Sequence, residues 1–222
     1  MNIKNIIFDL DGTLVDSADS ILNTLKKAFD DVGISPVRPL NSDLIGPPLQ
    51  NIILELLSES DINLMPYIIA AFKRHYDNIG YLHTQAYDGI PQVLEKLKAM
   101  QLNLFIATNK RSAPTKKIIN NIGWNSIFSE VYSLDSFIPA FPNKSKLLKN
   151  MIYTLNISPK EIVYIGDRIE DFDAANYIGC HFILVEWGYL NESNTKNCSI
   201  RVRSPEKLIG TLKNNLFDST LG

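Results

Sequence analysis

The stretch that most constrains the fold lies near the start of the chain, where a short apolar run ends in two acidic residues. Ile3 and residues 6–8 are β-branched or aromatic, a composition that favours a buried β-strand. Asp9 and Asp11 follow directly, so carboxylates stand at the edge of the sheet that this strand joins. In an open α/β sheet, ligands bind at the carboxyl ends of the strands. The sequence therefore predicts a functional site beside Asp9 and Asp11.

Length and composition suit a folded protein with a sizeable core. The chain has 222 residues, 45% of them hydrophobic, and a formal net charge of −2, so a nucleic-acid partner is not expected. No apolar run is long enough to span a bilayer, and two cysteines make neither a disulfide framework nor a thiolate metal site. Because the first residues show no secretory leader pattern, we expect a cytoplasmic protein with no membrane partner.

Strand and helix patterns alternate from about residue 90 to the end of the chain. The strand patterns are short apolar runs, and the helical patterns between them repeat apolar residues every three or four positions. The predicted strands lie at residues 102–107, 131–134, 162–165 and 182–185. This alternation is typical of βαβ units, which predicts an α/β fold with a Rossmann-like parallel sheet and helices on both faces.

Residues 17–84 interrupt this order, because their pattern contains helices only. Amphipathic helices are predicted near residues 21–32, 49–57 and 64–79. The simplest assembly places the first strand in the main sheet, so that residues 1–16 and 85–222 form a Rossmann-like core domain. Residues 17–84 then form an inserted, all-helical cap domain, which leaves the core just after the two acids and lies over them as a lid.

Three of the predicted strands end in polar residues, namely Asp9 and Asp11, Thr108 and Asn109, and Asp167. The carboxyl ends of parallel strands meet at one edge of the sheet, so these side chains are expected to be neighbours. Three carboxylates close together raise one another's pKa unless a cation lies among them. Oxygen ligands suit a hard ion such as Mg²⁺, which often bridges to a phosphate. The residues alone therefore predict a Mg²⁺ site that can receive a phosphate group.

The same residues suggest a division of chemical roles. With a cation and a lysine nearby to reduce charge repulsion, Asp9 could attack a phosphate group as a nucleophile. Asp11 could give a proton to the leaving oxygen and later activate water. Thr108 and the backbone N–H groups that follow it could hold the phosphoryl oxygens.

Several motifs resemble signatures of the haloacid dehalogenase superfamily of phosphotransferases. Its first signature is similar to residues 9–13, DLDGT, and its second is similar to Thr108-Asn109. Its fourth, a Gly-Asp pair with another Asp four residues on, is similar to residues 166–171, GDRIED. Further segments resemble members like phosphoglycolate phosphatase that carry a helical cap, at residues 46–49, 87–90, 187–189 and 204–208. The resemblance runs in order over nearly the whole chain.

The resemblance implies a Mg²⁺-dependent phosphatase that hydrolyses a small phosphorylated metabolite through an aspartyl-phosphate intermediate. The metabolite would be phosphoglycolate-like or a sugar phosphate. Asp9 would be the nucleophile and Asp11 the general acid and base. Gly12, Thr108 and Asn109 would bind the phosphoryl group. A monomer or a weak homodimer is expected.

The resemblance also implies a set of metal ligands. Asp9, the backbone carbonyl of Asp11 and the carboxylate of Asp167 would hold Mg²⁺. Asp171 would be an outer ligand or would orient the waters of the metal. Its spacing of four residues from Asp167 places both on one face where the next helix begins.

Two positions depart from the family pattern. The third signature is a lysine that steadies nucleophile and phosphate and is often followed by proline, but residues 141–148 read FPNKSKLL. Lys144, at the start of a predicted helix, is our choice for this lysine in catalysis and phosphate binding, and Lys146 is the alternative. Arg168 stands where a small hydroxyl residue is common, and it either adds positive charge to the site or pairs with Glu170.

Other functions remain open at this point. A phosphomutase on the same scaffold would need cap residues that hold a second phosphate, for which Arg38, Lys73 and Arg74 are available. A non-catalytic phosphoaspartyl signalling domain fits less well, because such domains lack a helical insertion after the first strand and place the acceptor aspartate on a later strand.

Overall fold

A six-stranded parallel sheet forms the centre of the computed structural model, which describes residues 3–189 and 198–216. The strands of the molecule are β1 (Asn5–Phe8), β2 (Val15–Asp16), β3 (Gln85–Ala86), β4 (Asn103–Thr108), β5 (Glu130–Ser133), β6 (Ile162–Gly166), β7 (His181–Val185) and β8 (Arg201–Val202). The main sheet has the order β5-β4-β1-β6-β7-β8, and every neighbouring pair is parallel. The strand nearest the start of the chain therefore lies inside the sheet.

Helices cover both faces of this sheet. They are α1 (Ala18–Val32), α2 (Leu49–Leu56), α3 (Met65–Asn78), α4 (Ile90–Ala99), α5 (Ser112–Ile122), α6 (Lys144–Leu155), α7 (Ile169–Ile178) and α8 (Pro205–Asn215). Successive side chains of a strand point to opposite faces, so Ile6 and Phe8 pack with α4, α5 and α8 while Ile7 packs with α6 and α7. The predicted α/β fold class is confirmed. Within the described ranges, no helix has the length and apolar character needed to cross a membrane.

The register of the central strands explains where polar residues gather. Phe8 of β1 lies level with Ile106 of β4 on one side and with Ile165 of β6 on the other. The residues that follow these three positions therefore emerge at the same edge of the sheet. The chain adds β4 and β5 on one side of β1, and it then adds β6, β7 and β8 on the other side. Such a switch in strand order opens a crevice for ligands at the carboxyl edge of the sheet.

Residues 17–84, here called the helical unit, contain α1, α2 and α3 with three short 3-10 helices. The unit is built around an apolar cluster, whose fully buried side chains include Leu25, Phe29, Ile53 and Tyr76, and which Tyr189 joins from outside the unit. α1 and α3 pack side by side because each presents an apolar stripe at three- and four-residue spacing. Its description as a separate cap domain stays a prediction.

A short antiparallel ribbon joins the helical unit to the rest of the chain. Val15 pairs with Ala86, and Asp16 pairs with Gln85, so β2 and β3 form a second sheet of two strands. The sequence pattern does not indicate these strands. Strands of two residues are too short to show the alternation on which such a prediction depends.

Candidate active site

Three carboxylates meet at the carboxyl edge of the sheet. Asp9 follows β1, Asp167 follows β6, and Asp171 lies in the first turn of α7. All three residues are buried, and each offers an oxygen that lies within 4.8 Å of those of the other two. We call Asp9, Asp167 and Asp171 the acid trio, and it brings together three of the four predicted metal ligands.

The electrostatics of the acid trio favour a cation. Burial raises the pKa of Asp9 to about 7, against the opposing effect of Lys144, which lies beside it. Burial also raises the pKa of Asp167, and the charges of Asp171 and Asp9 raise it further. One lysine cannot neutralise three buried carboxylates, and their oxygen atoms are the donors that Mg²⁺ prefers. The residues present therefore fit a divalent metal ion.

Lys144 is the first residue of α6, and it reaches into the acid trio. Its Nζ donates to Asp9 Oδ1 at 2.9 Å and to Asp171 Oδ1 at 2.5 Å. Burial alone would lower the pKa of Lys144, but the two carboxylates raise it above its usual value. The side chain of Asn143 caps α6 by accepting the N–H of Lys146 at 3.0 Å, which sets where the helix begins.

Lys146, the alternative lysine, lies elsewhere. Its Nζ donates to the hydroxyl group of Tyr177 at 2.9 Å, and both side chains are exposed. The structure thus brings Lys144 and not Lys146 to Asp9. The role of Lys144 in catalysis stays a prediction.

Replacing the two lysines separately tests that role. We expect Lys144→Met to lower kcat by about a hundredfold or more, because Asp9 and Asp171 lose their shared buried partner. The same change should also destabilise the fold by about 3–5 kcal/mol, as removal of one partner from a buried ion pair does. Lys146→Met is the matched control and should retain wild-type kcat and stability. Equal loss in both variants, measured by steady-state kinetics and denaturant unfolding, would contradict this assignment.

The carboxylate of Asp11 lies outside the acid trio and has its own cation. Lys110 Nζ donates to Asp11 Oδ1 at 2.9 Å and to Oδ2 at 3.1 Å. The hydroxyl of Ser17 donates to Asp11 Oδ1 at 2.6 Å. Burial would lower the pKa of Lys110, but Asp11 and Tyr76 raise it above its usual value. The predicted metal contact of Asp11 is through its backbone carbonyl and stays a prediction.

Sequence reasoning missed Lys110 and Ser17 as site residues. The signal for Lys110 was its position directly after Thr108-Asn109, at a strand end that already carried predicted site residues. Ser17 gave a weaker signal, since a serine before α1 reads simply as a helix cap.

The other supports of the acid trio come from distant parts of the chain. The backbone N–H of Tyr189 donates to Asp167 Oδ2 at 2.7 Å, and the hydroxyl of Thr13 donates to Asp167 Oδ1 at 3.2 Å. Asp171 accepts the hydroxyl of Tyr164 at 2.8 Å. These bonds hold the two carboxylates in fixed orientations, as ligands of a metal need.

Thr108, Asn109 and Gly12, the predicted phosphate-binding residues, all lie at the same edge. The buried hydroxyl of Thr108 accepts the N–H of Lys110 at 3.1 Å, and the amide of Asn109 donates to the carbonyl oxygen of Gly46 at 2.8 Å. Gly12 has a φ of +85°, and a Cβ there would lie 2.3 Å from Asp167 Oδ2, so only glycine fits. Their contacts with phosphate stay predictions.

Two arginines at this edge of the sheet, Arg168 and Arg111, pair with acidic side chains. Arg168 Nε lies 3.5 Å from Glu170 Oε2, and its Nη1 donates to the carbonyl oxygen of Tyr189 at 3.1 Å. The guanidinium of Arg111 donates to both carboxylate oxygens of Asp77, at 2.9 and 2.6 Å. Arg168 thus pairs with Glu170, and Arg111 ties α5 to the helical unit.

A cavity of about 60 Å³ lies between the helical unit and the sheet edge. Asp11 and Lys110 line it from the sheet side, and apolar side chains that include Leu49 and Phe72 line it from the helical unit. Asn109 and Arg111 also line the cavity, so the loop after β4 borders it together with Asp11.

Comparison with known families agrees with this geometry. The family model of haloacid dehalogenase-like hydrolases matches residues 6–185. The chain belongs to this family. The predicted family is thereby confirmed, and the matched range contains the acid trio, Asp11 and Lys144.

The relatives that this chain matches carry two kinds of name. The chain is 27% identical over 217 residues to phosphoglycolate phosphatase of Aquifex aeolicus, covering 97% of this chain and 100% of that one. It is 31% identical over 186 residues to tyrosine-protein kinase PtkA of Mycobacterium tuberculosis, covering 83% of this chain but only 62% of that one. Its fold is similar to the crystal structure of a predicted phosphatase from Clostridium acetobutylicum, with a TM-score of 0.84, 26% identity and coverage of 96% and 99%.

Proposed function

We propose that the protein is a Mg²⁺-dependent phosphatase that hydrolyses a small phosphorylated metabolite through an aspartyl-phosphate on Asp9. The observation that carries this proposal is the buried acid trio around Lys144, with the carboxylate of Asp11 held separately beside it. The phosphatase names of relatives that match nearly the full chain support it.

Asp9, Asp167 and Asp171 would hold the metal ion. When bound, Mg²⁺ neutralises charge on the acid trio and on phosphoryl oxygens, which lowers the barrier to attack by a carboxylate. Lys144 adds a fixed positive charge at Asp9 Oδ1. Tyr189 and Thr13 keep Asp167 oriented by donating to its two oxygens.

The reaction divides between Asp9 and Asp11. A carboxylate oxygen of Asp9 attacks phosphorus, and the bond from phosphorus to the leaving oxygen breaks as Asp11 gives that oxygen a proton. A water molecule then attacks the phosphorus of the aspartyl-phosphate, Asp11 takes the proton of this water, and the carboxylate of Asp9 is released. Thr108 lies at the same edge and would bind the phosphoryl oxygens.

Release of inorganic phosphate tests the proposal directly. Purified protein should release phosphate from para-nitrophenyl phosphate with Mg²⁺ present, and EDTA should stop this release. A second assay with a panel of phosphorylated metabolites would then rank natural substrates. If neither para-nitrophenyl phosphate nor any member of the panel is hydrolysed with Mg²⁺, the proposed function is wrong.

The cavity predicts the size of the substrate. A volume of about 60 Å³ beside Asp11 has room for a leaving group of few atoms. We therefore favour a phosphoglycolate-like substrate over a sugar phosphate, and expect kcat/KM for phosphoglycolate to exceed that for glucose 6-phosphate by about tenfold or more. Leu49→Ala widens the cavity and should reduce this ratio. A higher kcat/KM for the hexose phosphate in the wild-type protein would contradict the size argument.

The mutase alternative has less support. Arg38 pairs with Glu55, and Arg74 pairs with Asp31, while Lys73 is exposed. None of the three basic residues is among the described residues that line the cavity. Lys110 and Arg111 do line it, but Lys110 pairs with Asp11 and Arg111 pairs with Asp77, so both already have a carboxylate partner. Following a sugar monophosphate by NMR separates the two reactions, since a phosphatase releases free phosphate and a mutase forms an isomer.

A further inference from the structure

We propose that Tyr189 is a positioning residue whose hydroxyl holds Ser17 against the carboxylate of Asp11, and so fixes the orientation in which Asp11 meets the leaving oxygen of the substrate. This inference rests on the proposed function. Tyr189 follows β7 in the core, yet its ring is buried in the apolar cluster of the helical unit. It therefore contacts both parts of the molecule where they join.

The hydroxyl of Tyr189 makes two hydrogen bonds at the start of the helical unit. It accepts the backbone N–H of Ser17 at 2.7 Å, and it donates to Asp16 Oδ1 at 2.8 Å. Asp16 belongs to β2, and Ser17 precedes α1. The hydroxyl thus fixes the point where the chain passes from the ribbon into α1. Phenylalanine at this position would leave the buried N–H of Ser17 without that partner.

Ser17 connects the hydroxyl of Tyr189 to Asp11, because its backbone N–H bonds to the first and its side chain bonds to the second. Its hydroxyl donates to Asp11 Oδ1 at 2.6 Å, and Lys110 Nζ donates to the same oxygen at 2.9 Å. Two donors on Oδ1, with Lys110 also near Oδ2, fix the orientation of the carboxylate. If the backbone of Ser17 moves, the hydroxyl group of Ser17 moves with it, and Asp11 loses one of these constraints.

The backbone of residues 187–189 is held independently of that hydroxyl. Trp187 Nε1 donates to the carbonyl oxygen of Thr13 at 3.1 Å. At Gly188 a Cβ would lie 2.1 Å from the carbonyl oxygen of Gly12 and 2.5 Å from Asp167 Oδ2, so the segment lies tightly on the loop after β1. The contact of Tyr189 with Asp167 uses its backbone N–H. Tyr189→Phe therefore removes the bonds at the helical unit and leaves the support of Asp167 intact.

Substrates whose leaving groups differ in basicity distinguish a positioning role of Tyr189 from a purely structural one. Proton donation by Asp11 matters more for an alkyl phosphate, whose leaving alkoxide is strongly basic, than for para-nitrophenyl phosphate. We expect Tyr189→Phe to lower kcat for phosphoglycolate or ethyl phosphate about tenfold more than kcat for para-nitrophenyl phosphate. The Mg²⁺ concentration at half-maximal activity should stay within about twofold of wild type, since Asp167 keeps its support.

Ser17→Ala should show the same dependence on the leaving group. Because Tyr189 acts through Ser17, the double variant with both substitutions should have about the same kcat as the less active single variant. Two independent effects would instead multiply, so that kcat of the double variant would fall by the product of the two single losses. Tyr153→Phe is the matched control, since the side chain of Tyr153 is 85% exposed, and it should match wild type on both substrates.

Several outcomes would overturn the inference. Equal loss on both substrates, multiplicative losses in the double variant, or wild-type kinetics in Tyr189→Phe would each do so. If Tyr189→Phe does not fold, judged by circular dichroism, Ser17→Ala decides by the presence or absence of the leaving-group dependence. A wild-type protein without any phosphatase activity would instead refute the proposed function, so the two failures are distinguishable.

Discussion

Asp9→Asn is expected to abolish release of phosphate from para-nitrophenyl phosphate, with a loss in kcat of at least about a thousandfold. The amide of asparagine has nearly the shape of the carboxylate, but it cannot attack phosphorus to form the aspartyl-phosphate. Lys144 Nζ would still lie beside the side chain, so the geometry of the site should survive. Steady-state kinetics with Mg²⁺ present measures the effect.

An exposed aspartate provides the control for this substitution. Asp173 lies on α7, the helix that carries Asp171, but its side chain faces solvent. Asp173→Asn should therefore keep wild-type kcat. Circular dichroism should show that Asp9→Asn is folded. Activity of the folded Asp9→Asn protein above about 1% of wild type would rule out Asp9 as the nucleophile.

Mg²⁺ is expected to stabilise the wild-type protein strongly, because the acid trio holds like charges in a buried place. A ligand at a hundred times its Kd stabilises by about 2.7 kcal/mol. For a chain of this length, that corresponds to a rise in Tm of about 5–10 °C. Thermal unfolding in EDTA and in excess Mg²⁺ measures the rise, with Ca²⁺ as a comparison for ion size.

Asp167→Asn should remove this stabilisation together with activity. The substitution takes one carboxylate out of the acid trio while keeping an acceptor for the backbone N–H of Tyr189. In EDTA the variant should be at least as stable as wild type, since burial and the neighbouring charges raise the pKa of Asp167 and so disfavour its ionised form. A wild-type response to Mg²⁺ in this variant would show that the acid trio is not the metal site.

The fold and the convergence of the acids follow from local sequence and topology. The apolar run through Phe8 predicts a strand, and the later alternation of strands and helices predicts a parallel sheet. Once strands are parallel, residues after Phe8, Ile106 and Ile165 must emerge together, whatever their distance in sequence. The sequence therefore predicts that Asp9 and Asp167 are neighbours, and their oxygen atoms lie within 4.8 Å of each other.

The choice between Lys144 and Lys146 depended on helix geometry that sequence motifs do not supply. Two residues apart on a helix, side chains point in nearly opposite directions, so only one of the two lysines can face the sheet edge. The first turn of α6 and its cap at Asn143 decide which one. A helix that began two residues later would place Lys146 at its first position instead.

Other site residues could not be predicted because their roles depend on contacts between distant segments. Tyr189 and Ser17 are separated by 172 positions, and no local pattern indicates that a hydroxyl group of one meets the backbone of the other. Lys110 resembles an ordinary surface lysine until the structure shows its ammonium group at Asp11. The two-residue strands of the ribbon likewise carry no periodic signal.

The ribbon also brings the two ends of the helical unit together. Asp16 and Gln85 are paired residues, so the chain leaves and rejoins the core at points only about 5 Å apart. A hairpin turn of two residues could bridge such a gap, and so could another inserted domain of any length. We therefore expect that the helical unit can be exchanged without breaking the path of the main chain. Exchanging it would change the walls of the cavity while Asp9, Lys144 and Asp167 stay where the sheet holds them.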